Sequence, residues 1–218
     1  MSNETSENIY YPVSLNIRGR KCIVVGGGQV AFRKVKVLLE HGADVEVISP
    51  ELCPEMVSLS GTKEIRTLVR EYREGDLKGA FVAIIATDNR KINQKIAGEA
   101  REKAILVNAV DDAEYCDFIA PSILRRGGIS IAISTSGESP ALARKLRTQL
   151  ENEFGEDYAR LSSMIGKVRA EAKQQNIRVS GDGWQDALDM DLLLDLIRNG
   201  KEEEASVTLL NNLKARQE

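Results

Sequence analysis

Over its first half, the chain alternates between short apolar runs and segments in which apolar residues return every third or fourth position. Lys21 to Val25 reads as a buried strand, and Gln29 to His41 as a helix with Val30, Lys34, Val37, Leu38 and His41 near one face. Asp44 to Ser49 alternates and then ends apolar, with Pro50 as its stop. Glu64 to Val69 alternates as a third strand, with Ile65, Thr67 and Val69 on one side. Ala80 to Ala86 is the clearest wholly buried run, and Lys91 to Lys103 follows with Ile92, Ile96, Ala97 and Ala100 turned inward. Ile105 to Asn108 is the next strand, running into Ala109 to Asp112. Strand and helix in alternation predict a parallel sheet with both faces covered.

After Asp112 the rhythm changes. Phe118 to Ile123 is extended, Arg125 to Gly128 is read as a turn, and Ile129 to Ser134 alternates as the partner of a hairpin. Ser139 and Pro140 are the N-cap and first residue of a helix that continues to about Glu153. From Glu156 onward the pattern is helical. Leu161, Met164, Ile165 and Val168 form one stripe, Leu188, Leu192, Leu193, Leu196 and Ile197 a second, and Val207, Leu209, Leu210 and Leu213 a third. Gly181 to Gly183 is expected to break the helices apart. The predicted organisation is an α/β unit over residues 1–113, a small α+β segment over 114–150 and a helical unit over 151–218.

The first strand ends in Gly26, Gly27 and Gly28 and leads directly into a helix. Strand, glycine turn and helix in that order open a Rossmann-type dinucleotide-binding unit. The pattern is Gly26-x-Gly28-x-x-Ala31, with alanine in the third, helix-packing position. Glycines let the backbone turn sharply and approach a pyrophosphate, and the helix N-terminus offers that anion free N–H groups. The bland alternative is a tight turn in an α/β domain that binds nothing.

Ligands of parallel sheets sit beyond the carboxyl ends of the strands. The candidate cofactor contacts are therefore Gly26, Gly28, Gln29 and Val30 after the first strand, Pro50 and Glu51 after the second, and Thr87, Asp88 and Asn108 after the later ones. No arginine or lysine lies between Val45 and Glu55 to pair with a 2′-phosphate, which favours NAD over NADP. Glu51 is the nearest carboxylate for the ribose hydroxyls.

Composition changes this picture only by exclusion. The 218 residues carry a net charge of −3, so no nucleic-acid partner is expected. No apolar run has the length of a membrane span, and the first residues lack a signal-peptide core. Cys22, Cys53 and Cys116 are widely spaced and odd in number, which reads as free thiols in a reducing cytoplasm. His41 is the only histidine and sits at a helix end, so no histidine-rich metal site is expected.

The motifs then match a family. Val24-Val25-Gly26-Gly27-Gly28-x-Val30-Ala31-x-Arg33-Lys34 is followed by Ala86-Thr87-Asp88 and Val107-Asn108-x-Val110-Asp111-Asp112. Further on stand Cys116-Asp117-Phe118-Ile119-x-Pro121 and Ile133-Ser134-Thr135-Ser136-Gly137-x-Ser139-Pro140-Ala141. In order and spacing, over about residues 9–150, they resemble the precorrin-2 dehydrogenase family, which also forms the N-terminal module of siroheme synthase. The resemblance implies oxidation of precorrin-2 to sirohydrochlorin with NAD⁺, and in some members insertion of Fe²⁺ or Co²⁺ into the product. It places the family's functional aspartate on Asp111, as a proton acceptor or a guide for the metal. It implies a homodimer built through the 114–150 segment. The substrate's carboxylates need cations, for which Arg125, Arg126 and Arg144 are the candidates. Arg33 and Lys34 stand in the first helical turns, where a cation opposes the dipole, so an anion-holding role is favoured. Thr135 takes a position where relatives often carry serine. The chain ends at Glu218 without a methyltransferase module, so precorrin-2 is expected from a separate protein. A nucleotide-sensing module without catalysis is the alternative of a different class.

Overall fold

A computed structural model describes residues 10–110 and 112–217. The chain divides into two compact units, Met1–Ala120 and Pro121–Glu218. Residues 114–150, expected from the sequence to form a segment of their own, are thus shared between the two.

The first unit is a five-stranded parallel sheet. In chain order it contains β1 (Lys21–Val25), α1 (Gln29–Glu40), β2 (Asp44–Ile48), α2 (Pro54–Gly61), β3 (Arg66–Leu68), β4 (Val82–Ile85), α3 (Arg90–Glu102) and β5 (Leu106–Ala109). The strand order is β3-β2-β1-β4-β5. Chain direction across the sheet therefore reverses beside β1, and the crevice between the ends of β1 and β4 is the switch point where such sheets bind ligands. Val24 and Cys22 face one core layer, with Ala31, Val35 and Met56 from α1 and α2. Ile23 and Val25 face the other, with Leu77, Ile96 and Ala100. Burial on both faces explains why the central strands read as continuous apolar runs rather than alternating ones.

Helix α1 is rotated from its expected face. It buries Ala31, Val35 and Leu38, while Val37 is half exposed and Val30 opens to solvent. The glycine turn sets the phase of this helix. Ala31, fully buried, is the small residue that lets the helix lie close on β1. His41 is the C-cap of α1, and its Nδ1 meets the Val37 carbonyl at 2.6 Å.

The exposed edge of β5 is closed by side chains. Asp117 accepts the Val107 N–H at 2.9 Å and donates its own N–H back to the Val107 carbonyl. The Cys116 thiol takes the Ala109 N–H at 3.2 Å. Together these cover an edge that would otherwise offer itself to another strand.

The second unit opens with an antiparallel hairpin, β6 (Ser122–Arg126) and β7 (Ile129–Ile133). Arg125 and Arg126, expected in the turn, belong to β6, and the turn is Gly127 and Gly128 alone. Gly127 has φ +55°, the positive value a two-residue hairpin loop demands. A side chain on Gly128 would meet Ser162 Oγ at 2.9 Å, because the turn packs on one of the helices that follow the hairpin. These are α4 (Pro140–Glu153), α5 (Glu156–Gln174), α6 (Gly181–Ala187), α7 (Met190–Arg198) and α8 (Glu202–Lys214). Ser139 caps α4 as expected, its hydroxyl accepting the Leu142 N–H. The expected break at Gly181 to Gly183 is instead the start of α6, because the Ser180 hydroxyl caps it by accepting the Gly183 N–H. Leu161, Met164, Val168, Leu193, Ile197, Leu209 and Leu213 form the core of this unit. Leu192 and Val207, from two of the expected stripes, are 43% and 58% exposed. No described helix is long and apolar enough to cross a membrane.

Candidate dinucleotide-binding site

The turn after β1 is tied to its neighbours on both sides. The Gly26 N–H donates to the Ile48 carbonyl at 2.9 Å, and Gly27 accepts the Cys53 N–H at 2.8 Å. Gly26 has φ +125°, and a Cβ there would lie 2.1 Å from the Ala86 carbonyl oxygen. A Cβ on Gly27 would lie 1.8 Å from the Glu51 carbonyl oxygen. Gly28 differs, since nothing stands within 4 Å of its missing Cβ. The first two glycines bring three strand ends together, and the third leaves an open floor.

That floor leads onto the N-terminus of α1. Gly28 is its N-cap, no side chain caps the first turn, and no acidic residue stands within it. The first N–H groups of a helix have no intrahelical partner and carry the positive end of its dipole. The cleft before them measures about 880 Å³, ample for a dinucleotide-sized ligand by the usual range of such sites. A pyrophosphate group fits this cradle: the turn would be blocked by any side chain at Gly26 or Gly27, and the N–H groups are free to receive an anion.

Gly26, Gly28, Gln29, Val30, Pro50, Glu51, Thr87 and Asp88 all line the cleft. The Gln29 amide reaches across the turn to the Glu55 carboxylate at 2.9 and 3.0 Å, linking α1 to α2. The Thr87 hydroxyl accepts the Asn89 N–H at 2.9 Å and contacts Asn93 Oδ1 at 3.2 Å, fixing the turn from β4 to α3.

Asn108 is placed differently. It is buried, does not line the cleft, and donates from its amide to the Phe118 carbonyl at 3.0 Å. Its Oδ1 accepts from Lys34 Nζ at 3.5 Å, so this half-buried lysine has an internal partner. Asn108 thereby joins β5 to the strand-end loop and to α1. Asp111 lies outside the described residues. Its neighbour Asp112 lines the cleft and precedes a short 3₁₀ turn without capping it.

Arg125, Arg126 and Arg144 lie in the second unit. Arg125 and Arg144 are exposed, on β6 and α4. Arg126 instead holds the fold together. Its Nε donates to the Phe154 carbonyl at 2.7 Å and its Nη2 to the Glu151 carbonyl at 3.4 Å, so the guanidinium closes the C-terminus of α4. Thr135, also in this unit, accepts the Ser139 N–H at 3.0 Å on its hydroxyl.

Glu71, Tyr72, Arg90 and Asn93 also line the cleft, and no sequence motif marks them. Gly27 is a free position in the glycine motif, yet its geometry tolerates no side chain. Among the charged residues lining the cleft, Glu51, Glu71, Asp88 and Asp112 outnumber Arg90. Such a lining serves phosphate through backbone N–H groups and offers little to an added 2′-phosphate.

Comparison with known proteins agrees with this geometry. Residues 13–122 match a family described as putative NAD(P)-binding, and residues 126–153 match the central part of a sirohaem biosynthesis protein. A siroheme synthase of Nitrosococcus oceani is 38% identical over 202 residues, which cover 92% of this chain and 43% of that protein. A siroheme synthase of Photobacterium profundum is 36% identical over 204 residues, 93% of this chain and 43% of that protein. The chain thus spans less than half the length of these curated relatives. The solved structure of SirC, a precorrin-2 dehydrogenase, superposes with a TM-score of 0.70 at 25% identity, covering 94% of this chain and all of that one. With half of its length matched by the first of these families, the chain belongs to the family described as putative NAD(P)-binding.

Proposed function

We propose that this chain oxidises precorrin-2 to sirohydrochlorin with NAD⁺ as acceptor, yielding NADH and a proton. The observation that carries the reading is the end-to-end likeness to a precorrin-2 dehydrogenase, joined to an uncapped helix N-terminus at the glycine turn. The first turn of α1, at Gly28, Gln29 and Val30, holds the pyrophosphate. Pro50 and Glu51 stand at the end of β2, where the ribose hydroxyls of a dinucleotide are received. Thr87 and Asp88 form the rim beyond β4. Bound NAD⁺ supplies the two-electron acceptor that no protein side chain provides. Asp111 takes the proton released from the macrocycle, the role the family resemblance gives it. A carboxylate suits that role because the substrate loses one proton together with the one hydride it passes to NAD⁺. Arg125 and Arg144 are the candidate partners for the substrate's carboxylates. Arg126 contributes through the shape of α4.

The functional unit we propose is a homodimer formed through the hairpin and α4. A two-stranded sheet is marginal unless something covers it. Ile123, Leu142 and Leu146 are 40%, 49% and 38% exposed in the second unit. Insertion of Fe²⁺ or Co²⁺ into the product, with the metal as substrate, is kept as a second activity because the two curated relatives described above are named siroheme synthases.

The test is anaerobic incubation of the chain with precorrin-2 and NAD⁺, following NADH absorbance. NADH should form in proportion to sirohydrochlorin, and none would refute the reading. An Asp111→Asn variant should lose at least about 100-fold in rate while binding NADH as the wild type does. Adding Co²⁺ to the product, with and without protein, separates dehydrogenation from metal insertion.

A further inference from the structure

Glu99 is a buried carboxylate that the reaction above does not use. It lies on α3 at 7% exposure and receives three donors. These are Lys103 Nζ at 2.5 Å, the Gly75 N–H at 2.9 Å and the Tyr72 hydroxyl. Burial alone would raise its pKa, but the Lys103, Tyr72 and Gly75 donors outweigh this and hold it below the ordinary carboxylate range. Burial and the adjoining carboxylate push the Tyr72 phenol upward, so the donor keeps its proton.

Two of these donors come from one connection, the segment between β3 and β4. The same segment is clasped internally, with Arg70 Nη1 and Nη2 each 2.7 Å from an Asp76 carboxylate oxygen and the Arg73 N–H 2.8 Å from Asp76. A surface loop of ordinary composition needs no such double fixing. This one carries Glu71 and Tyr72 to the wall of the cleft. Among the described residues lining the cleft, Tyr72 is the one aromatic, and it also packs against the core layer that contains Leu77.

Position gives that ring a ligand. In a sheet of this order the adenosine ribose is received at the end of β2, and Tyr72 lines the same cleft as Pro50 and Glu51, which stand there. Tyr72 follows β3. A purine has a flat apolar face, for which an aromatic side chain is the natural surface. We propose that Tyr72 is the stacking surface for the adenine of the bound dinucleotide, and that Glu99 is the positioning residue that holds the ring in place. This rests on the cleft being the cofactor site.

The test is calorimetric titration of the full chain with ADP-ribose, which has the adenine and pyrophosphate but no nicotinamide. Tyr72→Leu fills the apolar seat without a ring and should weaken binding about tenfold. Tyr72→Phe keeps the ring but not the latch, and should lose only about threefold. Glu99→Ala removes that bond together with the one to Gly75, so it should lose at least as much as Tyr72→Phe, and adding Tyr72→Phe to it should change little further, because the two share one bond. Glu99→Gln, which retains an oxygen for Tyr72 and Gly75, should restore binding to within twofold of wild type. Tyr72→Leu within twofold of wild type would overturn the stacking role. Tyr72→Phe binding within twofold of wild type would overturn the positioning role, even where Glu99→Ala fails to fold. A wild-type chain that binds no ADP-ribose would instead overturn the cofactor reading on which this inference rests.

Discussion

Gly27 and Gly28 are adjacent and chemically identical, yet the structure gives them opposite roles. A methyl group at Gly27 would collide with the Glu51 carbonyl, whereas one at Gly28 would meet open space. Gly28 also has φ −83°, a value alanine adopts freely. Gly27→Ala should therefore cost stability, about 1–3 kcal/mol by the usual penalty for overpacking, read as a lowered melting temperature. Gly28→Ala should leave the melting temperature nearly unchanged, within about 1 kcal/mol, but weaken NADH binding about tenfold or more, because its methyl group stands where the backbone must approach the pyrophosphate. A fluorescence titration paired with a thermal melt separates the two, and equal behaviour of the variants would contradict this division. The glycine motif itself is legible in the sequence. Which glycine packs and which one binds is not, because that depends on carbonyls from β2 and β4 loops far away in the chain. Tyr72 is invisible for the same reason: it belongs to a polar connection with no motif, and only the β3-β2-β1-β4 strand order brings it to the cleft.

At the scale of elements, pattern succeeds where an element faces one environment and fails where geometry at its end decides. The buried strands β1 and β4 are plain from their apolar runs. The face of α1 is not, since its valines at 30, 35 and 37 support two phases and only the glycine turn chooses between them. Gly181 to Gly183 reads as a break on propensity, yet a Ser180 cap makes it a helix start. Arg126 shows the same lesson for a candidate site residue. Two adjacent arginines beside two glycines look like a charged turn, but hairpin register puts Arg126 on β6 with its guanidinium against the end of α4. Arg126→Ala should accordingly destabilise the second unit by about 1.5–3 kcal/mol, the range for hydrogen bonds to a charged group, seen in urea unfolding. Its KM for precorrin-2 should stay within twofold of wild type. A raised KM with unchanged stability would return Arg126 to the substrate. Arg144→Ala, an exposed position on α4, should show the reverse pattern.

At the scale of the whole molecule, the chain spends its apolar residues unequally. The first unit covers both faces of its sheet and closes the β5 edge with Asp117 and Cys116. The second unit packs its helices around a core of its own but leaves a groove lined by Ile133, Leu146 and Leu150. Together with exposed Ile123 and Leu142, this is apolar surface of the kind that marks an interface. The alternation of the hairpin is readable in the sequence, but that Leu124 is buried while Ile123 stays exposed becomes apparent only when the helices packed on it have been placed. If the proposed homodimer buries this surface, a charge there should split it. Leu146→Asp is the informative change, because Leu146 is 38% exposed and its replacement disturbs no buried core position. Sedimentation of the wild type at micromolar concentration should show a dimer, and Leu146→Asp a folded monomer with an unchanged helical signal. NADH affinity should persist in that monomer, since the described cleft residues all come from one chain's first unit. Precorrin-2 turnover should fall at least tenfold if the substrate is held by residues of both chains. A wild type that sediments as a monomer would remove the dimer from the proposal, and a monomeric variant with full turnover would show that one chain suffices for catalysis.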